Sequence, residues 1–235
     1  MRSLKITTII SFIIVLLVFA WNNLFITKED RKVTAFNSIF TSGPVNVFIK
    51  QSNKESLTVR ADTHLHDKII TEVVNGKLKI YIKGRVQGER VIDVYVSYLS
   101  IDSIHGSSQS TLTGRSIITS KKLLIKASGA SEIKLQTKVD SLNLIMNNYA
   151  NVQLAGTATN FNLLITDGGD LVAYNLASQF CSVHVNTGDQ SPGIARINVE
   201  KTLDATIVGP RHVKYKGNPT ITHKSIVGDG KLIKL

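Results

Sequence analysis

A repeat of about twenty residues in the second half of the chain restricts its fold more than any other feature. The segments Leu123-Leu124-Ile125-Lys126-Ala127, Leu142-Asn143-Leu144-Ile145-Met146, Phe161-Asn162-Leu163-Leu164-Ile165, Cys181-Ser182-Val183-His184-Val185 and Leu203-Asp204-Ala205-Thr206-Ile207 begin 19, 19, 20 and 22 residues apart. Positions one, three and five of each are apolar. Successive side chains of a strand point to opposite faces, so these positions form three inward columns once each segment lies on the last. A single rung cannot bury its own apolar side, and stacking supplies the cover.

A second strand follows within the rungs, through Ile133 and Leu135, Val152 and Leu154, Leu171 and Ala173, and Val213 and Tyr215. Between the two lie Ser128-Gly129-Ala130-Ser131, Asn147-Asn148-Tyr149-Ala150, Thr166-Asp167-Gly168-Gly169 and Gly209-Pro210-Arg211-His212. Gly, Asn and Asp tolerate the left-handed backbone of a sharp corner. Two strands and two corners per rung predict an all-β chain, a parallel β-helix or β-solenoid, with right-handed crossovers expected. Ile104 to Leu112 reads as an earlier, degenerate rung, and Gln190-Ser191-Pro192-Gly193 lengthens the corner of the rung at 181–202.

Strands are also expected at 45–49, 57–61, 78–82 and 94–96, with Asn75-Gly76 as a tight turn. Residues 62–73 are the place for a short helix or an irregular connection. The non-repetitive strands of 33–98 are expected to cap one end of the solenoid, whose strand edges would otherwise be exposed.

The first residues speak to location. Met1-Arg2-Ser3-Leu4-Lys5 is basic, Ile6 to Trp21 is an almost unbroken apolar run, and Val18-Phe19-Ala20 carries a small residue at the end of a cleavage site. Residues 1–20 therefore read as a signal peptide cleaved after Ala20. The alternative is an uncleaved anchor reaching residue 26, because Leu24-Phe25-Ile26 prolongs the apolar run. Residues 21–32 then form a linker and 33–235 a single domain. The chain is expected outside the cytoplasm, in the periplasm, at the outer membrane or on the cell surface, touching membrane only through this segment. The only cysteine is Cys181, so no lipid-anchoring cysteine follows the apolar run and no internal disulfide forms.

The order of features resembles the bacterial family called putative auto-transporter adhesin, head GIN domain. Phe36-Asn37-Ser38-Ile39 and Gly43-Pro44-Val45-Asn46-Val47-Phe48-Ile49-Lys50-Gln51 resemble its first strands. Thr71-Glu72-Val73-Val74-Asn75-Gly76-Lys77-Leu78-Lys79-Ile80 resembles its next hairpin, and Gly106-Ser107-Ser108 with Ser128-Gly129-Ala130-Ser131 its small-residue rungs. Val213-Lys214-Tyr215-Lys216-Gly217-Asn218-Pro219 and Gly228-Asp229-Gly230-Lys231-Leu232 resemble its closing Tyr-x-Gly-x-Pro strand and Gly-x-Gly turn. Gly209-Pro210-Arg211-His212 departs from the small turn usual there. The resemblance implies an exported β-helical envelope protein and brings no catalytic residue with it.

Lys and Arg number 28 against 17 Asp and Glu, a formal charge of +11 that becomes +9 without Arg2 and Lys5. This balance favours acidic partners. The positive charge is spread over the chain rather than clustered, and export would remove nucleic acid as a partner. No Gly-x-Ser-x-Gly, P-loop, His-Glu-x-x-His or dinucleotide glycine pattern is present. His64-Leu65-His66-Asp67 would place two imidazoles on one strand face for a metal, but lacks a visible third ligand and reads as a polar connection. Asp167-Gly168-Gly169-Asp170 reads as an ordinary corner rather than a calcium turn, and Cys181 as a buried thiol. No cofactor, metal site or enzyme is expected. The expected function is adhesion or surface interaction: outward Lys126, Lys134, Asn143, Gln153, Asn162 and Lys214 present a lateral face to an anionic glycan or an envelope protein. The alternatives are an enzyme acting on acidic polysaccharide and a structural envelope scaffold.

Overall fold

The structure, a computed structural model, describes residues 26–86, 91–188 and 193–235. The expected signal peptide and its cleavage site lie outside the described residues, as does most of the Gln190-Ser191-Pro192-Gly193 corner. No helix among the described residues is long and apolar enough to cross a membrane.

The first strands in chain order are β1 (Ile26–Arg31), β2 (Ser38–Ser42), β3 (Asn46–Gln51) and β4 (Ser56–Asp62). A 3-10 helix at Thr63–Lys68 leads to β5 (Ile69–Val74), β6 (Lys77–Ile82), β7 (Ile92–Tyr98) and β8 (Ser103–Ser107). Five long strands wrap the solenoid: β9 (Thr111–Ala127), β10 (Glu132–Met146), β11 (Asn151–Ile165), β12 (Leu171–Asn186) and β13 (Ile194–Val208). The chain closes with β14 (His212–Lys216), β15 (Thr220–Val227) and β16 (Lys231–Lys234).

Each long strand is one rung paired in parallel with its neighbours, as the repeat predicts. Leu142 is level with Leu123 and Phe161, Phe161 with Cys181, and Cys181 with Leu203. Every member of the three predicted columns is buried, from Leu123 and Ile125 through Leu144 and Leu163 to Ala205 and Ile207. The C-terminal halves of the long strands, with β2, β6, β8 and β15, make the first face. Their N-terminal ends, with β3, β7, β14 and β16, make the second. Register shifts at 134/136, 153/155 and 173/177 mark where each rung turns into a third, bridging side at about 117–120, 136–139, 155–158 and 175–178.

The corners between second strand and first face are left-handed where the sequence suggests. Ala130, Asn148 and Tyr149 have φ of 56°, 49° and 62°, and Ser108 and Gln109 repeat this in the rung before. The corners also bond along the axis: Gln109 N–H donates to the Gly129 carbonyl and Ala130 N–H to that of Asn148, both at 2.8 Å. The buried Ser131 hydroxyl accepts from Ser128 N–H at 3.1 Å and donates to the Gly106 carbonyl at 3.0 Å, which is a physical reason for serine in these turns. At the bridging side Gly156 has φ 103°, and a Cβ there would lie 2.0 Å from the Thr137 carbonyl oxygen. Only glycine fits that contact.

The N-terminal third caps the solenoid and also lengthens it. Ile39 is level with Ile104, and Val47 with Leu112, so β2 and β3 form a rung before that of β8 and β9. Strands β6 and β7 then lie outside it, with Leu78 level with Ile39 and Val94 with Val47. The end is closed by antiparallel strands, β5 on β6, and β4 on β7 with β1 on β4. Asn75 and Gly76 make the tight β5–β6 hairpin, both with positive φ. Residues 26–31, placed in a linker by the sequence reading, are strand β1, whose Thr27-Lys28-Glu29-Asp30 run is exposed as suits an edge.

Candidate functional site

The six outward residues singled out in the sequence do point away from the core, but they divide between two faces. Lys126, Asn143 and Asn162 are on the first face, in two neighbouring rows. Lys134, Gln153 and Lys214 are on the second, in one row. Strand alternation separates inward from outward, and the corner at 128–131 sends the chain to a new face without disturbing it.

The middle of the first face, from Asn143 and Ile145 to Ser182, is uncharged, between Lys126 on one side and Asp204 on the other. Asn162 Nδ2 donates to Asn143 Oδ1 at 3.0 Å, one step of an amide ladder along the axis, while Asn160 Nδ2 donates to the Asp140 carbonyl at 3.4 Å. Lys126 is level with Ile145, which is level with Leu164. Together with Leu124 these apolar side chains border a shallow depression of about 470 Å³ reaching His184. Beyond Lys126, His105 packs edge-on against Phe40 at 5.1 Å. Burial, helped by Lys126 and Lys77, holds the His105 pKa below its ordinary 6.5.

The second face is basic and regular. Lys134, Gln153, Val172, Arg196 and Lys214 follow one another in register, one per strand. At a strand spacing of about 4.8 Å, Lys134 and Lys214 stand about 19 Å apart. Lys231 is level with His212 beside the row, and Lys216, on the same strand as Lys214, has its ammonium 4.8 Å from the Tyr174 ring centre. Glu132 is one of three acids in the row beside it, with Asp170 and Asp93 level further along, and Lys134 holds Glu132 at 2.7 Å with both side chains about half exposed. Towards the cap, Phe48 and Tyr95 stack at 5.2 Å, and the Arg115 guanidinium lies 4.5 Å from the Phe48 ring centre. Stacking fixes the plane of an otherwise flexible exposed cation.

Arg196 and Arg115 were missed in the sequence. The long corner at 187–193 hid the second strand of that rung, although Ala195 and Ile197 alternate as Val213 and Tyr215 do and are buried in line with them. Arg115 lies within a register shift, between Thr113 and Ile117, and belongs to no simple alternation.

The other candidates are structural. His64 and His66 lie on the 3-10 helix rather than on a strand, so they share no strand face. His66 sits 3.0 Å from the Thr27 hydroxyl and 2.9 Å from Glu29, tying β1 to the helix. Arg31 and, less strongly, His66 hold the Glu29 carboxyl below its usual range. Among the described residues no group of three or more potential ligands is placed to hold a metal. In the turn at 167–170, Asp167 accepts from Gly168 N–H and Asp170 from Ile194 N–H, both at 2.9 Å. The carbonyls of Asp167 and Gly169 accept from Arg211 Nη2 at 3.0 and 2.5 Å. Arg211, at the unusual corner, is fully buried beside Gly193 and fastens a turn two rungs away. Burial lowers its pKa, opposed by Asp170 and Asp167. Cys181 is buried in its column, and desolvation raises its pKa far above the usual thiol value, which leaves an unreactive thiol.

A stack of parallel rungs with a hydrophobic interior and regular outward rows defines a β-solenoid. The chain belongs to the family putative auto-transporter adhesin, head GIN domain, whose pattern matches residues 35–219. Among solved structures it is similar to a putative adhesin from Bacteroides fragilis, with a TM-score of 0.79 and 23% identity over 89% of this chain and 97% of that one. A putative adhesin from Parabacteroides merdae matches with a TM-score of 0.69 at 20% identity, covering 91% of this chain and 97% of that one. A putative lipid binding protein from Parabacteroides distasonis gives 0.69 at 21%, covering 91% and 98%. At these identities the likeness is one of fold. No curated protein matches the chain in sequence.

Proposed function

We infer that the protein is an exported, non-catalytic interaction module of the cell envelope that holds an anionic glycan along its second face. The observation that carries this reading is the in-register row Lys134, Gln153, Val172, Arg196 and Lys214. A rigid backbone fixes the spacing of these groups before binding, so little order is lost when a polymer lies along them. The cations and amides of the row suit anionic groups and hydroxyls. The acids beside the row are engaged, Glu132 with Lys134, Asp170 with the Ile194 N–H and Asp93 with Arg60, a composition that suits holding a polymer better than cleaving it. The Arg115–Phe48–Tyr95 stack extends the surface with a fixed guanidinium and an exposed ring edge.

Binding of fluorescent polygalacturonate tests this. Affinity should fall at least about tenfold as salt rises from about 0.05 to 0.5 M, because several screened contacts share the work. Each single reversal in the row should weaken binding, and two together should weaken it further. Absence of binding, or production of shortened chains abolished by one substitution, refutes the reading. The apolar depression around Leu124, Ile145 and Leu164 favours a second reading, an envelope scaffold packed on another protein through the first face. Pull-down of one envelope protein, lost in Leu164→Asp but kept in Arg196→Glu, would support it.

A further inference from the structure

The bridging side, used by neither face above, carries a groove of about 560 Å³ that runs across five rungs. Its floor is one row in register, with the small side chains Thr119 and Thr157 flanking Lys138 and Ala177 following Thr157. Its walls carry Lys121 and Asp140 at one end, Gln179 further along, and Glu200 at the other end. Two lysines and two carboxylates give the groove no net formal charge, unlike the basic second face. None of the four is held in an ion pair among the described residues. Lys201 donates to Gln179 Oε1 at 3.0 Å, which fixes that amide and leaves its nitrogen as a donor. The same ammonium stands 5.5 Å from the ring centre of Phe180, which is 39% exposed.

We propose that this groove is a binding site for an uncharged oligosaccharide of four or five units lying along the solenoid axis. The strand spacing of about 4.8 Å is close to the length of one pyranose unit, so successive rungs meet successive sugars. Thr119, Thr157 and Thr159 supply hydroxyls that donate and accept, Lys121, Lys138 and Gln179 donate, and Asp140 and Glu200 accept from sugar hydroxyls. The shallow floor has no deep apolar pocket for a peptide side chain, which favours glycan over peptide. By register Asp140 and Glu200 stand three strand steps apart, about 14 Å. Two-carboxylate glycoside hydrolysis needs a separation of about 5–9.5 Å, so the groove holds its sugar without cutting it.

The test is calorimetric titration of the chain with cellohexaose, xylohexaose, mannohexaose and chitohexaose, followed by shorter members of whichever series binds. One series should bind, with the tetramer at least about tenfold tighter than the dimer. The affinity should change less than about twofold between about 0.05 and 0.5 M salt, since the ligand carries no charge. Thr157→Leu, which fills the floor, and Gln179→Ala should each weaken binding about tenfold at unchanged melting temperature. If Thr157→Leu fails to fold, Gln179→Ala and the length series still decide. Arg196→Glu, on the second face, should leave this binding unaltered, so that failure of the anionic-glycan reading and failure of this one can be told apart. Lack of binding to all four series, capture of hexapeptides instead, or equal affinity for dimer and tetramer overturns the proposal.

Discussion

Truncation of two adjacent leucines separates the inside of the solenoid from its outside within one strand. Leu163 is 2% exposed, level with Leu144 on one side and Val183 on the other. Leu164, next in the chain, is 38% exposed on the first face. Leu163→Ala removes three carbon groups at about 0.8 kcal/mol each, a transfer loss near 2.4 kcal/mol. The rungs above and below are pinned by continuous hydrogen bonding and close only partly over the space, so a residual cavity raises the expected cost to about 3–4 kcal/mol. Leu164→Ala opens no closed cavity and removes area already partly wet, so it should cost less than about 1 kcal/mol. Urea unfolding of both variants, followed by far-ultraviolet circular dichroism with the slopes compared, provides the assay. A solenoid can lose rungs separately, so a second phase in Leu163→Ala would place the weakening within the stack rather than contradict it. Equal destabilisation of the two variants would refute the inward and outward assignment and the stacking built on it.

Gly156→Ala should destabilise by at least about 2 kcal/mol, through a left-handed backbone and a Cβ driven onto the Thr137 carbonyl, and a melting temperature within a degree or so of wild type would contradict that contact. His105 titrates below its ordinary 6.5 in the fold, so the unfolded chain takes up its proton first; stability from this residue is complete above pH 6.5 and falls as pH drops from there through the folded value. Melting curves across that window should therefore be flatter for His105→Gln than for wild type, and identical curves would dismiss the effect. Arg211→Ala should lower the melting temperature by uncapping the Asp167 and Gly169 carbonyls and leaving a void, whereas Arg211→Met should cost less, because it fills the space without a buried charge; equal losses in the two variants would show that the lost guanidinium bonds, rather than the void, set the cost.

The inward columns were legible because five copies of one alternating pattern reinforce each other, and because Gly, Asn and Ser occupy the corners for stereochemical reasons. The order of the first rungs was not. Residues 38–51 and 77–98 are separated by the strands β4 and β5 and a 3-10 helix, and alternation within a strand carries no information about which strand it lies beside. The edge strand β1 escaped notice because both its faces are polar and Lys28-Glu29-Asp30-Arg31 has no alternation to read. The candidate site was half legible. Outward direction followed from parity, but the division of Lys126 from Lys134 depends on a corner, and the joining of Lys134 to Arg196 depends on a strand hidden by a long loop. Arg211 was legible only as a departure from the small turn usual at that corner, and residue type alone favours solvent for an arginine. Its burial rests on the Asp167 and Gly169 carbonyls that take its guanidinium, which fills the room a side chain at Gly193 would need.

The central claim is that a particular face, rather than overall charge, holds the partner. Arg196→Glu on the second face and Lys126→Glu on the first change the net charge equally and differ only in where they act. Polygalacturonate affinity measured for both at the same low ionic strength is therefore the most direct test. The account expects Arg196→Glu to weaken binding at least about tenfold and Lys126→Glu by less than about twofold. Equal losses in the two variants would show that the anionic polymer responds to the charge of the whole molecule, and would contradict a site on the second face.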